Sequence, residues 1–401
     1  MQRQYDIIVF GATGFTGQLV AEYMTRQYTG GNLTWAMAGR NTSKLESVRD
    51  KVGAQVELLQ ADAQNYEQLA ELVQQARVVL TTVGPYARYG SELVAACAAH
   101  GTHYCDLTGE VHWMRKMITE HQAAAQESGA RIVHTCGFDS IPSDLGVYFL
   151  QQHMRAQHGV PAKEVKYRAK AFKGGFSGGT IDSMMAMMEA SKTDPSIKEI
   201  IADPYSLNDK HRGLDGLDHN RHYYDRDFKS WVGPFVMAAI NTRVVRRSNE
   251  LLNMAYGEDF CYNEGVLTQD GIGGLMSAAA LGMGSSAMNS MAALEPARKM
   301  MQSFLPKPGE GPTRTQIEEG LFEIELVAKH PDDYAKDLRA TVKGDRDPGY
   351  GSTAKMLSES AVCLAQDDLE VTGGFWTPAS AMGDTLIQRL SSNAGVTFEL
   401  H

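Results

Sequence analysis

The sequence predicts an α/β protein in two parts: an N-terminal doubly wound parallel sheet, followed by a second α+β domain built on a mainly antiparallel sheet. Two observations carry this. Over the first 145 residues short apolar, β-rich runs alternate with helical stretches, the pattern of parallel strands covered on both faces. After about residue 150 the runs change to strict apolar/polar alternation, the pattern of half-exposed antiparallel strands.

The elements follow in order. Strands are expected at 5–10, 33–38, 56–59, 77–83, 103–106 and 131–135. Helical spacing falls at 17–28, 43–52, 66–75, 90–100 and 111–128. Residues 165–171, 320–328 and 337–343 alternate as strands. A Met-rich helix is expected at 180–191, a polar, turn-rich excursion at 203–235, and a last long helix at 355–365. The expected division is 1–145, 146–345, and a C-terminal helix and tail, 346–401, that returns to the first part.

Bulk numbers narrow the class. The chain has 401 residues, 43% hydrophobic and 21% charged, which is ordinary for a globular protein with ample core. Formal charge is 38 − 48 = −10 with no basic block, so nucleic acid is a poor partner. Cys97, Cys105, Cys136, Cys261 and Cys363 form no CxxC pair, as expected of free thiols in a reducing cytoplasm. The twelve histidines show no HExxH or similar spacing, so no metal is expected. One stretch, 271–294, carries no charge. It is rich in Gly, Ala, Ser and Met, so its insertion into a bilayer would be weak. Its readings are a buried or mobile loop-helix, a membrane-facing or acyl-chain-facing hairpin, or a true span.

The chemistry begins at Gly11-Ala-Thr13-Gly14-Phe15-Thr16-Gly17, between the first strand and the first helix. Gly11 permits a tight turn, Gly14 lets backbone approach a pyrophosphate, and Gly17 allows close helix–strand packing. The helix N-terminus then offers free N–H groups and a positive dipole end to phosphate. This is the dinucleotide turn of a Rossmann domain. The second strand ends at Arg40-Asn41 rather than at Asp or Glu, and Lys44 follows. A carboxylate there would hold ribose hydroxyls, whereas Arg binds a 2′-phosphate with a charge-assisted fork, so NADP(H) is expected. Asp62, after the third strand, is a candidate for the adenine amino group. Val83-Gly84-Pro85-Tyr86, after the fourth, lies where nicotinamide-side groups collect.

GATGFTG (11–17), AGR (38–40), VGPYARYG (83–90), CDLTGE (105–110) and CGFDSIPSDLG (136–146) together resemble the saccharopine dehydrogenase-like oxidoreductases, and within them the trans-acting enoyl reductase branch. Ser177-Gly-Gly-Thr180, Gly349-Tyr350, Thr353-Ala-Lys-Met356 and the segment 373–383 extend the resemblance along the whole chain. It implies a Rossmann domain facing a second α+β domain across a cleft, and NAD(P)-dependent reduction. The branch implies a carbon–carbon double bond in an acyl thioester as the acceptor. The namesake implies instead an imine between an amino acid and a keto acid.

An enoyl thioester needs a donor at its oxygen and a proton source for its α-carbon. Tyr86 is the first candidate, with an aromatic shelf for the nicotinamide as its other reading, and Tyr89 is a weaker second. Asp139 and Ser140 are candidates for substrate or nicotinamide contacts; they could equally cap a helix starting near Pro142. Asp106 and Glu110 are read as structural. For an imine substrate, Arg243, Arg246 and Arg247, taken as lying along one alternating strand, would hold carboxylates. A lipid-associated NADP(H)-binding protein without turnover is the third reading. The expected partner is a small, hydrophobic acyl molecule, with a homodimer left open.

Overall fold

The computed structural model describes residues 3–174, 185, 189–293 and 311–401. Chain order in the first half is β1 (Tyr5–Phe10), α1 (Phe15–Tyr28), β2 (Trp35–Gly39), α2 (Thr42–Val52), β3 (Glu57–Gln60), α3 (Tyr66–Val73), β4 (Ala76–Thr81), α4 (Tyr86–Tyr89), α5 (Ser91–His100), β5 (His103–Cys105), α6 (Val111–Ser128), β6 (Arg131–Val133) and α7 (Ile141–His158). Then come β7 (Glu164–Lys173), α8 (Pro195–Ala202), β8 (Tyr223–Asp225), β9 (Ser230–Gly233), α9 (Ala238–Leu251), β10 (Cys261–Leu267), α10 (Gly271–Ala293), α11 (Arg314–Glu318), β11 (Leu321–Lys329) and β12 (Leu338–Gly344). The chain closes with α12 (Thr353–Gln366), β13 (Gly374–Trp376), α13 (Pro378–Arg389) and β14 (Val396–Leu400).

The first sheet is parallel throughout, in the order β13-β6-β5-β4-β1-β2-β3. The interior strand β1 explains its own apolar run: Ile7, Ile8 and Val9 are fully buried, because helices cover both faces. The order reverses between β1 and β4, so the loops after these strands open a crevice at the carboxyl edge, where ligands bind in open α/β sheets.

The second sheet runs β14-β12-β11-β7-β10-β9-β8, antiparallel except for β7 with β10. β11 alternates as expected, with Phe322, Ile324 and Leu326 buried between partly exposed neighbours. α7 leaves β6 and packs on β11 and β12, so one apolar core runs from Ile7 and Val133 through Leu145 to Leu326 and Val342. The two sheets are thereby fixed relative to each other, with the β6–α7 junction between them.

Three expectations change. The excursion 203–235 is not loop throughout: it supplies the edge strand β8 and its neighbour β9. Arg243, Arg246 and Arg247 lie on helix α9, not on a strand, and all three are buried. The C-terminal segment serves both sheets, through β13 in the first and β14 in the second. The uncharged stretch forms α10, which packs on β9 through Ala278 and Leu281. Among the described residues no helix is long and apolar enough to cross a membrane. Ser177–Thr180 and most of the Met-rich stretch 180–191 lie outside the described residues.

Candidate functional site

The glycine turn has the geometry its sequence requires. Gly11 sits at φ +88°, and a Cβ there would meet Val83 Cγ2 at 2.5 Å. A Cβ on Gly17 would stand 2.1 Å from the Gly11 carbonyl oxygen, so helix and strand could not approach this closely with any other residue. Gly14 is exposed, and no side chain caps the start of α1. An uncapped helix N-terminus under an open glycine backbone suits a pyrophosphate, so these residues fit a dinucleotide. The loop after β4 joins the turn: Thr82 Oγ1 donates to the Gly11 carbonyl at 3.1 Å. Thr13 and Thr16 are half-buried around it, and Phe15 turns its ring edge-on to Tyr350 at 5.2 Å, tying the turn to the segment before α12.

At the far end of the crevice Arg40 and Lys44 are exposed, and among the described residues neither has a carboxylate partner. Two cations left unpaired on an acidic protein are poised for a phosphate. Asn41 has a different task. Its Oδ1 accepts from the Lys44 backbone N–H at 2.9 Å and caps α2. Asp62, at the end of β3, is half-buried and uses Oδ1 to accept from the Gln64 N–H at 3.0 Å. Among the described residues its second oxygen has no hydrogen-bond partner.

The nicotinamide side is shaped by two buried carboxylates. Asp106 accepts from the Tyr104 hydroxyl at 2.8 Å, from His134 Nδ1 at 2.7 Å, and from the backbone N–H groups of Thr108 and Thr135, both at 3.1 Å. It thereby pins the loops after β5 and β6 together. Glu110 accepts from the N–H groups of Tyr86 and Ala87, at 2.8 and 2.9 Å, and anchors α4. Both are structural groups, as read from the sequence.

Tyr86 is the main correction. It is 3% exposed, its ring packs on Trp113 at 5.4 Å, and its hydroxyl donates to the Thr81 carbonyl at 3.2 Å. Burial pushes its phenol well above the ordinary range. It supports the loop and does not present a proton to the crevice. Ser140 is likewise withdrawn. Fully buried, its Oγ donates to Asn241 Oδ1 at 3.1 Å. Asn241 Nδ2 and the Tyr262 hydroxyl donate in turn to Glu264, at 3.0 and 2.6 Å. This chain ties the β6–α7 junction to α9 and β10. Ser140 occupies the N-cap position of α7 without a side-chain capping bond, so the capping alternative is not what holds it.

Asp139, one residue earlier, remains open. It is half-buried, and among the described residues its carboxyl has no hydrogen-bond partner. Burial alone pushes that carboxyl up to about 7. Its Oδ2 lies 3.8 Å from the point where a Cβ on Gly109 would stand, and Ile240 Cδ1 lies 2.9 Å from the same point. Acid and hydrocarbon therefore meet over Gly109.

The three arginines do not reach this site. Arg246 Nε pairs with Asp215 at 2.7 Å, Arg243 pairs with Asp218, and Arg247 donates to the carbonyls of Leu207 and Phe375. They staple the 203–235 segment to α9 and cannot gather a substrate's carboxylates. Among the described residues no cluster of His, Cys, Asp or Glu could hold a metal ion. The aromatic cluster of Phe138, Phe172, Phe322 and Phe235, which begins one residue before Asp139 in the chain, left no signal in the sequence. Alternation along residues 165–171 stops one residue short of Phe172.

Residues 7–133 match the family model described as the saccharopine dehydrogenase NADP binding domain. A putative trans-acting enoyl reductase of Mycobacterium tuberculosis is 40% identical, over 99% of this chain and 97% of its own length. A trans-acting enoyl reductase of Mycobacterium bovis is 36% identical over 98% and 97%, and that of Mycobacterium ulcerans 35% over 97% and 96%. Among solved structures, the apo saccharopine dehydrogenase (L-Glu forming) of Saccharomyces cerevisiae has the same fold, with a TM-score of 0.54 at 10% identity and 99% coverage of both chains.

Proposed function

Because this chain belongs to the trans-acting enoyl reductase family of saccharopine dehydrogenase-like oxidoreductases, we propose that it uses NADPH to reduce the carbon–carbon double bond of an enoyl thioester. It is an NADP-dependent oxidoreductase, and the turn at 11–17 is the group we assign to the pyrophosphate. A nicotinamide held there would supply hydride for the substrate's β-carbon. What the chain must add is a proton for the α-carbon and an enclosure that excludes water.

One observation carries this reading: Asp139, in the loop between β6 and α7, is a half-buried carboxyl with no hydrogen-bond partner among the described residues, held near neutrality close to Ile240. A carboxylic acid that stays protonated to about pH 7 is matched to donate a proton to a carbanionic carbon at physiological pH. The same apolar surroundings disfavour a substrate bearing several carboxylates, and the buried, paired arginines remove the cations an imine between two acids would need. NADPH consumption against parallel panels of enoyl thioesters, imines and ketones tests the reading. Turnover confined to the enoyl panel is expected; turnover of the imine panel alone would overturn it.

Arg40 and Lys44 are assigned to the 2′-phosphate. Replacing Arg40 with Asp should raise the NADPH KM by roughly tenfold to a hundredfold, because it removes a charge-assisted hydrogen bond and adds a repulsion, and should change the NADH KM far less. Equal changes in the two constants would sink the assignment. Asp62 and the 83–84 backbone are assigned to the adenine and nicotinamide ends.

A further inference from the structure

Residues 311–318, which lead into β11 of the second sheet, lie along α1 of the first. Gly311 faces Phe15, the first residue of α1. A Cβ on Gly311 would stand 2.6 Å from Phe15 Cζ, so the chain passes this close to the ring only as glycine. Arg314 faces Glu22. Its Nη1 and Nη2 donate to the two carboxylate oxygens of Glu22, both at 2.6 Å, and its Nε donates to Glu318 at 2.5 Å. Phe15 and Glu22 are two helical turns apart, hence on one face of α1 and about 10 Å apart along its axis. An extended step from 311 to 314 with a long side chain covers that distance. The segment therefore runs along this face of α1 as a strap.

The strap is built to hold its shape. Thr313 and Gln316 form a reciprocal capping box at the start of α11. Ile317 is buried, and its carbonyl accepts from the Asp347 N–H at 3.1 Å. The Asp347 carboxylate accepts in turn from the N–H groups of Tyr350 and Gly351, at 3.0 and 2.7 Å. Tyr350 then returns to the Phe15 ring. Phe15, Tyr350, Asp347, Ile317, Arg314 and Glu22 thus close a circuit that begins and ends on α1. Its joints at Ile317, Asp347 and Tyr350 are buried. The Arg314–Glu22 fork is the joint open to solvent, with side chains 58% and 35% exposed.

We propose that this strap holds the glycine turn in the geometry that binds a pyrophosphate, and that Arg314 and Glu22 are the positioning pair that fastens it. The proposal rests on the assignment of residues 11–17 to the pyrophosphate and adds to it a means of retaining NADP(H). The free N–H groups at the uncapped start of α1 are the donors to that phosphate, and Phe15 is where the strap meets them. A loosened strap frees Phe15 and the first turn of α1 to shift, so the phosphates lose aligned donors and the cofactor leaves sooner. A partly exposed bidentate pair contributes a factor of about five. The factor falls on cofactor release, because neither residue belongs to the turn or to the proton-donating loop.

The experiment measures Kd and koff for NADPH in the wild type, in Arg314→Met, in Glu22→Gln and in the double variant, with adenosine 2′-monophosphate as a second ligand. That ligand carries the adenine and the 2′-phosphate and lacks the pyrophosphate. Each single variant should raise the NADPH Kd about fivefold, chiefly through koff, and the double variant should do no more than either single. The Kd for adenosine 2′-monophosphate should keep its wild-type value throughout. Single variants that leave the NADPH Kd unchanged, or effects that multiply in the double variant, overturn the strap. Equal weakening of both ligands also overturns it, since that marks general damage around the first sheet. A wild type that binds NADPH no more tightly than adenosine 2′-monophosphate overturns instead the assignment of the turn.

Discussion

Asp139→Asn should lower kcat for enoyl reduction by a factor of about a hundred or more, with the affinity for NADPH unchanged. General acid catalysis contributes typically 10²–10⁴-fold, and an amide of the same shape keeps the packing while removing the proton. The wild-type pH profile supplies an independent arm. The group works only when protonated, and burial raises its pKa to about 7. Activity should therefore be full below that value and fall about tenfold per pH unit above it. The variant's residual activity should lack this limb. A variant that retains wild-type kcat, or one that shows the same alkaline limb, would remove Asp139 from the chemistry. A structural role predicts neither change, because among the described residues the carboxyl holds no neighbour that its loss would release.

How much of this was legible before the fold was known depends on the range of the signal. The glycine turn was readable because Gly11, Gly14 and Gly17 act locally: a strand, a turn and a helix start within seven residues, and each glycine answers a backbone demand. The parallel sheet was readable for the same reason, since strands covered on both faces declare themselves as unbroken apolar runs. Asp139 was named as a candidate, but its separation from Ser140 was not visible. Adjacent residues in a loop can point into opposite surroundings, and only Asn241, 101 positions away, shows that Ser140 turns inward. Tyr86 misled because a tyrosine after Gly-Pro at a strand end looks exposed. Trp113, on α6, is what buries it.

Length also set limits. β13 has three residues, too few to register as alternation. The arginines of α9 sit at positions 243, 246 and 247, an i, i+3, i+4 spacing that marks one helical face. The valines between them imitate strand alternation. The decisive partners, Asp215 and Asp218, precede them by more than twenty residues.

The same buried pairing that hid the arginines makes the second sheet vulnerable. Asp225→Ala should destabilise the protein by about 3–5 kcal/mol, the cost of leaving a buried cation without its counter-ion. Arg168, on β7, is 1% exposed at its side chain and Asp225, on β8, 0%. The guanidinium Nε and Nη2 donate to Asp225 Oδ2 at 3.0 and 2.7 Å; Nη1 also donates to the Tyr167 and Asn263 carbonyls at 2.8 and 3.3 Å, and Nη2 to the Tyr223 hydroxyl at 2.8 Å. Phe228 and Tyr223 lie over the cation at 5.4 and 5.8 Å, so water is kept from it. β7 lies inside the second sheet and β8 belongs to the 203–235 excursion, so this pair fastens the excursion to the sheet. Urea denaturation should show a lower midpoint for Asp225→Ala, and Arg168→Met introduced alongside it should recover much of the loss, since no charge then remains stranded. A loss below about 1 kcal/mol in the single variant would mean that Lys166, 3.6 Å from the same carboxylate, and the ring faces hold the segment without the pair.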